Sequence, residues 1–234
     1  MFPENINIDL NYQSNYLGIK PQGQTETRTH EFTEQKTTQW FEARKHHNKE
    51  LKGFSASQVD KFLALRNLKS REAYYKYVNG IEELPAFGIE QQVHLDRGNR
   101  MEVHGQAFMA ASFIPAYLPG RFFREHGRHE QDRMSASPDG CIWQLNEVRP
   151  EYVYEGKAPD TNNPHTTGVK YKPDITNIGQ CLINATVLDA EVGTLLCYVT
   201  EQSLTIFLVP RNDALTYLIK GEIIGVIDGP IPKR

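Results

Sequence analysis

Residues 137–159 read Ser137-Pro138-Asp139-Gly140, then CIWQLNEVRPEYVY, then Glu155-Gly156-Lys157-Ala158-Pro159. Pro-Asp-Gly is turn chemistry, the apolar run CIW has strand character, and EYVYEGK reads as a second strand. The stretch is therefore expected to fold as a turn, a short strand, a loop with its tip over Asn146–Pro150, and a second strand. Residues two apart on a strand share a face, which sets Glu155 and Lys157 side by side. If the two strands are hairpin neighbours, Asp139 lies beside Glu155. Two carboxylates and an ammonium then converge. Clustered carboxylates repel each other and favour a hard divalent cation with oxygen ligands. A lysine beside that cation can orient water or offset negative charge on a phosphate, an arrangement suited to metal-assisted phosphodiester hydrolysis. Either half alone is a common structural pattern, since Asp-Gly marks turns and Glu-x-Lys decorates solvated strands. Apolar flanks and a proline at each motif edge set the pair apart.

The rest of the chain bounds this reading. Its 234 residues are 39% hydrophobic and 24% charged, enough for one α/β domain with a substantial core. Mean hydropathy is -0.55, and no apolar run approaches the roughly 18 residues of a membrane span. The opening MFPENINIDL lacks the basic and apolar regions of a secretory signal. Three cysteines cannot build a disulfide framework and suggest a reducing, intracellular compartment. They also cannot supply the four thiolates of an iron–sulfur cluster, which excludes a cluster-bearing nuclease. A net charge of -3 predicts no general affinity for nucleic acid, so DNA binding would need local basic patches or metal ions.

Residues 1–36 are polar and lack periodicity, and are read as an N-terminal arm, flexible or docked on a neighbour. Residues 37–234 are read as a single domain. Within it, residues 38–80 hold nine Lys or Arg against four Asp or Glu, a local charge of +5 that fits phosphate contacts. SASQVDKFLAL opens a helix capped by Ser55 or Ser57, with Val59, Phe62, Leu63 and Leu65 on its apolar face. SREAYYKYV forms another, capped by Ser70 and ended by Gly80 and Pro85. Tyr74, Tyr75 and Tyr77 there are expected to pack. Residues 96–112 make a third helix, and 121–133 a strand and its turn. Residues 160–173 read as a loop. ITNIGQCLINATVL is helical in period. GTLLCYVT and LTIFLVP form a hairpin closed near Glu201-Gln202, and residues 212–224 a last helix. This order predicts an α/β fold with a central mixed sheet flanked by helices. Cys181 and Cys197 are expected in the core. Arg121, Arg124, Arg128 and Arg133 either contact a DNA backbone or decorate a solvated hairpin, and Phe122 and Phe123 are read as core. His126 and His129, with His94 and His104, lack the second close pair of a zinc site.

Ser-Pro-Asp-Gly followed by Glu-x-Lys-x-Pro resembles the PD-(D/E)XK nuclease superfamily, and more narrowly its lambda exonuclease or YqaJ-like viral recombinase branch. Further matches fall in that branch's order: Trp40 with Arg44, Ser55-Ala56-Ser57, Arg97-Gly98-Asn99-Arg100-Met101-Glu102, and Gln180 on the helix after the Glu-x-Lys strand. The resemblance spans roughly residues 38–209. It implies a restriction-endonuclease-like core and a Mg²⁺- or Mn²⁺-dependent enzyme holding two ions per site. Asp139 would bridge the ions, Glu155 and the Gly156 carbonyl would complete one site, and Glu102 would support the other. Lys157 would position the attacking water, and Gln180 would order the site. Arg44, Ser57 and Ser137 would bind a 5′-phosphate at a duplex end.

The implied activity is 5′–3′ digestion of linear double-stranded DNA in phage or viral recombination or genome processing. The implied partners are duplex DNA ends, a single-strand annealing protein and further copies of the chain in a ring, with a trimer favoured. A phage-encoded member would work in the cytoplasm of a bacterial host. Two other readings are open. One is a structure-specific or general endonuclease of the same fold. The other is a non-catalytic DNA- or partner-binding module, against which the full set of Glu102, Asp139, Glu155 and Lys157 argues. The chain departs from the pattern in three places. Gly156 fills a usually apolar position, Asp139 and Glu155 lie further apart than in compact members, and His46 and His47 lengthen the stretch from Arg44 to Ser57. That extra length leaves Lys45, Lys49 or Lys52 as substitute cations for Arg44.

Overall fold

The computed structural model describes residues 28–86, 88–113, 117–119, 121–125, 133–143, 149–159, 170–200 and 204–230. Nine strands and six α-helices make up these segments. Strand β1 (Arg28–Glu34) leads into helix α1 (Thr38–Lys49), whose N-cap Thr37 accepts a hydrogen bond from the Trp40 amide at 3.3 Å. A two-residue strand β2 (Phe54–Ser55) enters a 3₁₀ turn and the one-turn helix α2 (Val59–Phe62). Helices α3 (Leu68–Val78) and α4 (Ile89–Phe113) follow. Then come β3 (Tyr117–Pro119), β4 (Arg121–Glu125), β5 (Met134–Ala136), β6 (Gly140–Ile142) and β7 (Tyr152–Lys157). Helix α5 (Ile175–Val187), the hairpin β8 (Gly193–Val199) and β9 (Leu204–Pro210), and helix α6 (Asp213–Asp228) close the chain.

The larger sheet runs β3-β6-β7-β8-β9 and is mixed, with β7 and β8 parallel and the other neighbours antiparallel. Helices cover both its faces, so the predicted α/β class with a helix-flanked mixed sheet is observed. Alternation along β7 shows the layering. Val153 points into a core built with α2, α3, α5 and α6, and Tyr154 into one built with Met101 and Met109 of α4. A second sheet, β1-β4-β5-β2, was not expected. Its strand β1 uses residues read from sequence only as part of a polar arm. The Ser137-Pro138-Asp139 link carries the chain from β5 in one sheet to β6 in the other.

Several local expectations are corrected. The helix opened by Ser55 is capped as predicted, with Gln58 returning a bond to the Ser55 amide at 2.9 Å. It stops at Phe62, because Ala64 turns left-handed at φ 55° and leaves Leu65 exposed. The cap of α3 is Asn67, which accepts from the Ser70 amide at 2.8 Å; Ser70 is its partner rather than the cap. Helix α4 starts at Ile89, seven residues before the predicted start. Arg133 is neither a DNA contact nor a solvated side chain. It is buried and grips Asp228 with two bonds of 2.9 and 2.6 Å. Cys181 and Cys197 are buried, and Tyr74, Tyr75 and Tyr77 pack against the core, as expected. The side chains of Phe122, Phe123, Arg121 and Arg124, with Arg128, His126, His129 and the loop tip around Asn146, lie outside the described set. No helix among the described residues is long and apolar enough to cross a membrane.

Candidate active site

Strand register brings the two halves of the motif together. Gly140 of β6 pairs with Tyr154 of β7, which leaves Asp139 level with Glu155. The Gly156 amide donates to Asp139 Oδ2 at 2.7 Å and so holds the carboxylate against β7. Position 156 favours glycine: a β-carbon there would stand 2.7 Å from Tyr154 Oη and 3.3 Å from Asp139 Oδ2. The unusual residue in Glu-x-Lys is thus explained first by the buried Tyr154 hydroxyl beside it on the same strand and second by the approach of the aspartate from the neighbouring strand.

Glu155 is only 3% exposed, yet both its oxygens are satisfied. Lys157 Nζ donates to Oε1 at 2.7 Å, Gln180 Nε2 to the same oxygen at 2.6 Å, and Asn184 Nδ2 to Oε2 at 2.8 Å. Gln180 and Asn184 sit one turn apart on α5 and therefore point the same way. Asn184 was missed in the sequence. Its signal was the four-residue spacing from Gln180 on an otherwise apolar helix.

Glu102 reaches the centre from α4, on the other face of the sheet. That helix lies close because Gly105 leaves room for Tyr154 Oη; any β-carbon at 105 would collide with it. Gln106 Nε2 donates to Glu102 Oε1 at 3.3 Å and to the Asp139 carbonyl at 3.4 Å. Lys36 Nζ donates to Glu102 Oε2 at 3.1 Å and to Asn99 Oδ1 at 3.2 Å, and Gln35 Nε2 donates to the Pro138 carbonyl. The sequence reading missed Gln35 and Lys36, which lie in a polar stretch with no pattern.

The electrostatics follow from this crowding. Burial, then the charges of Glu155 and Glu102, push the Asp139 carboxyl well above the usual carboxylate range. Burial works to lower the Lys157 ammonium, but Glu155 and Asp139 outweigh it and hold the group above the ordinary lysine value. Three carboxyl groups, Asp139, Glu155 and Glu102, thus share two ammonium partners, Lys157 on Glu155 and Lys36 on Glu102. The centre's donors are hard oxygens, the carboxylates of Asp139, Glu155 and Glu102. That set fits Mg²⁺ or Mn²⁺, although among the described residues no three His, Cys, Asp or Glu side chains already stand together as a metal cage.

A second cluster adjoins the first. The Arg44 guanidinium stacks over Trp40 at 4.5 Å and donates from one nitrogen to Ser55 Oγ at 3.1 Å and Ser57 Oγ at 3.2 Å. Trp40 Nε1 donates to Ser137 Oγ at 3.2 Å, which ties this cluster to the residue two before Asp139. The structure thus brings Arg44, Ser57 and Ser137 into one network despite the two inserted histidines. His47 instead turns into the core, with Nε2 3.1 Å from the Arg133 carbonyl. Burial lowers the Arg44 guanidinium below its ordinary value, while Tyr74, Tyr77 and Glu155 act to raise it.

No known family profile matches the chain, and no curated protein matches it in sequence. In fold it is similar to the crystal structure of an alkaline exonuclease from Laribacter hongkongensis. The TM-score is 0.61 at 19% identity, over 82% of this chain and 91% of that one. The same exonuclease in complex with dAMP is similar at a TM-score of 0.60, with the same identity and coverage. At 19% identity this likeness is one of fold.

Proposed function

We propose that the chain is a divalent-cation-dependent deoxyribonuclease that digests linear duplex DNA from its 5′ ends. The observation that carries this reading is the adjacency of the two clusters. The Asp139–Glu155–Lys157 centre is joined through Ser137 and Trp40 to a cluster of the Arg44 guanidinium and serine hydroxyls. A carboxylate centre alone would serve any phosphodiester. A neighbouring cluster of guanidinium and hydroxyls would give a terminal phosphate a place to anchor, and so favours an end over an interior bond. The exonuclease fold of the chain supports the same choice.

Asp139 and Glu155, with the Gly156 carbonyl, would hold Mg²⁺, and Glu102 would support a second ion. When bound, the cation supplies Lewis-acid activation of water and offsets charge on the phosphoryl oxygens. Lys157, held by Glu155, positions the attacking water and places positive charge beside the scissile phosphate. Gln180 and Asn184 fix the Glu155 carboxylate so that its geometry is set before substrate arrives. Arg44, Ser57 and Ser137 anchor the 5′-phosphate. Three free, buried cysteines fit work in a reducing compartment.

The test is a digestion with Mg²⁺ of 5′-phosphorylated linear duplex beside the same DNA as a closed circle. Loss of the linear form alone supports the proposal. Nicking of the circle would favour an endonuclease of the same fold. Cleavage of neither, with Mn²⁺ also tried, would favour a binding module.

A further inference from the structure

Lys36 stands apart from the rest of the site. Its backbone is left-handed, at φ 66°, which is uncommon for a residue other than glycine. That turn aims the side chain over the carboxylate centre just before α1 begins. The ammonium sits on Glu102 and Asn99, yet its side chain is 55% exposed, against 19% for Glu102. Beside it, Gln35 is fastened to the Pro138 carbonyl, one residue from Asp139. The chain thus crosses the mouth of the site here, fixed on one side and carrying a solvent-facing cation on the other.

We infer that Lys36 is a further substrate-positioning residue, whose ammonium rests on Glu102 in the free protein and passes to a DNA backbone phosphate when a divalent cation takes Glu102. The inference rests on the nuclease reading above. A lysine ammonium has three donors and a flexible four-carbon stem. Two donors are used by Asn99 and Glu102, and the exposed side chain leaves it free to turn outward. An exposed ion pair of this kind is weak, and a divalent cation competing for the same carboxylate displaces it. The displaced ammonium then stands at the rim of the site, where the phosphates flanking the scissile bond must pass.

The test measures binding, not turnover. The affinity of a 5′-phosphorylated duplex for wild-type protein, Lys36→Met and Lys36→Arg is followed by fluorescence anisotropy over a salt series. One series contains EDTA and one Ca²⁺, with gels confirming that the DNA stays intact. One phosphate contact contributes about 0.9 to the slope of log affinity against log salt. With Ca²⁺, Lys36→Met is expected to lower the slope by about 0.9 and Lys36→Arg to keep it. In EDTA the slopes of wild type and Lys36→Met should coincide. Equal slopes in Ca²⁺, or the same difference in both series, would overturn the inference. Failure of the wild-type protein to bind DNA at all would instead count against the nuclease reading. Unchanged thermal unfolding of both variants separates the effect from misfolding.

Discussion

Glu155 and Glu102 approach one centre from opposite faces of the sheet and are held in opposite ways. Glu155 is buried and takes three donors between 2.6 and 2.8 Å, two of them from a single helix face. Glu102 is partly open and takes donors between 3.1 and 3.3 Å, one of them from a solvent-exposed lysine. A buried carboxylate must be satisfied in advance, because leaving it unpaired costs several kcal/mol. A carboxylate at the rim can exchange partners at little cost. The site thus has a rigid side that fixes geometry and a loose side that can respond to what binds.

Substitutions can break or sharpen that contrast. The largest effect is expected at Asp139, which lies between the two. Asp139→Ala should lower Mg²⁺-dependent DNA hydrolysis by roughly 10³-fold or more, the equivalent of several kcal/mol of lost charge stabilisation. Its circular dichroism should match wild type, since no core volume is lost. On the rigid side, Asn184→Ala should lower hydrolysis by about 10–100-fold, as the loss of a partner that orients a ligand does. It should also cost about 1–3 kcal/mol in urea unfolding, because Glu155 Oε2 loses its donor. Gly156→Ala should cost a similar 1–3 kcal/mol through overpacking against Tyr154 and Asp139. On the loose side, Gln106→Ala should change stability by no more than about 1 kcal/mol and activity only a few-fold, because its bonds are long and Glu102 is partly solvated. If Gln106→Ala proved as damaging as Asn184→Ala, the two sides would not differ as described.

Much of the rigid side was legible in the sequence. Alternation along EYVYEGK put Glu155 beside Lys157, and hairpin pairing put Asp139 level with Glu155, because strand periodicity leaves little freedom. Gln180 came from the resemblance and lies where it was expected. Asn184 was masked by the apolar helix around it, and Gly156 looked like a departure because its reason is crowding by the buried Tyr154 hydroxyl, with Asp139 behind it. The loose side was mostly illegible. Lys36 and Gln35 act from a polar stretch without periodicity, and their partners lie 66 and 103 residues away along the chain. Strand β1 was missed for the same reason, since its pairing depends on β4 rather than on its own pattern. The extent of α2 and the cap of α3 failed on local turns at Ala64 and Asn67, where single-residue backbone choices decide the boundary.

The central claim is that the Asp139–Glu155 centre and the Arg44 cluster act together on a 5′ end. The most direct measurement uses linear duplex labelled at either the 5′ or the 3′ terminus, incubated with Mg²⁺ and either wild-type protein or Asp139→Ala. The account predicts early release of the 5′ label as mononucleotide, gradual shortening of the 3′-labelled strand, and neither with the variant. Early release of the 3′ label, or release by Asp139→Ala at the wild-type rate, would contradict it.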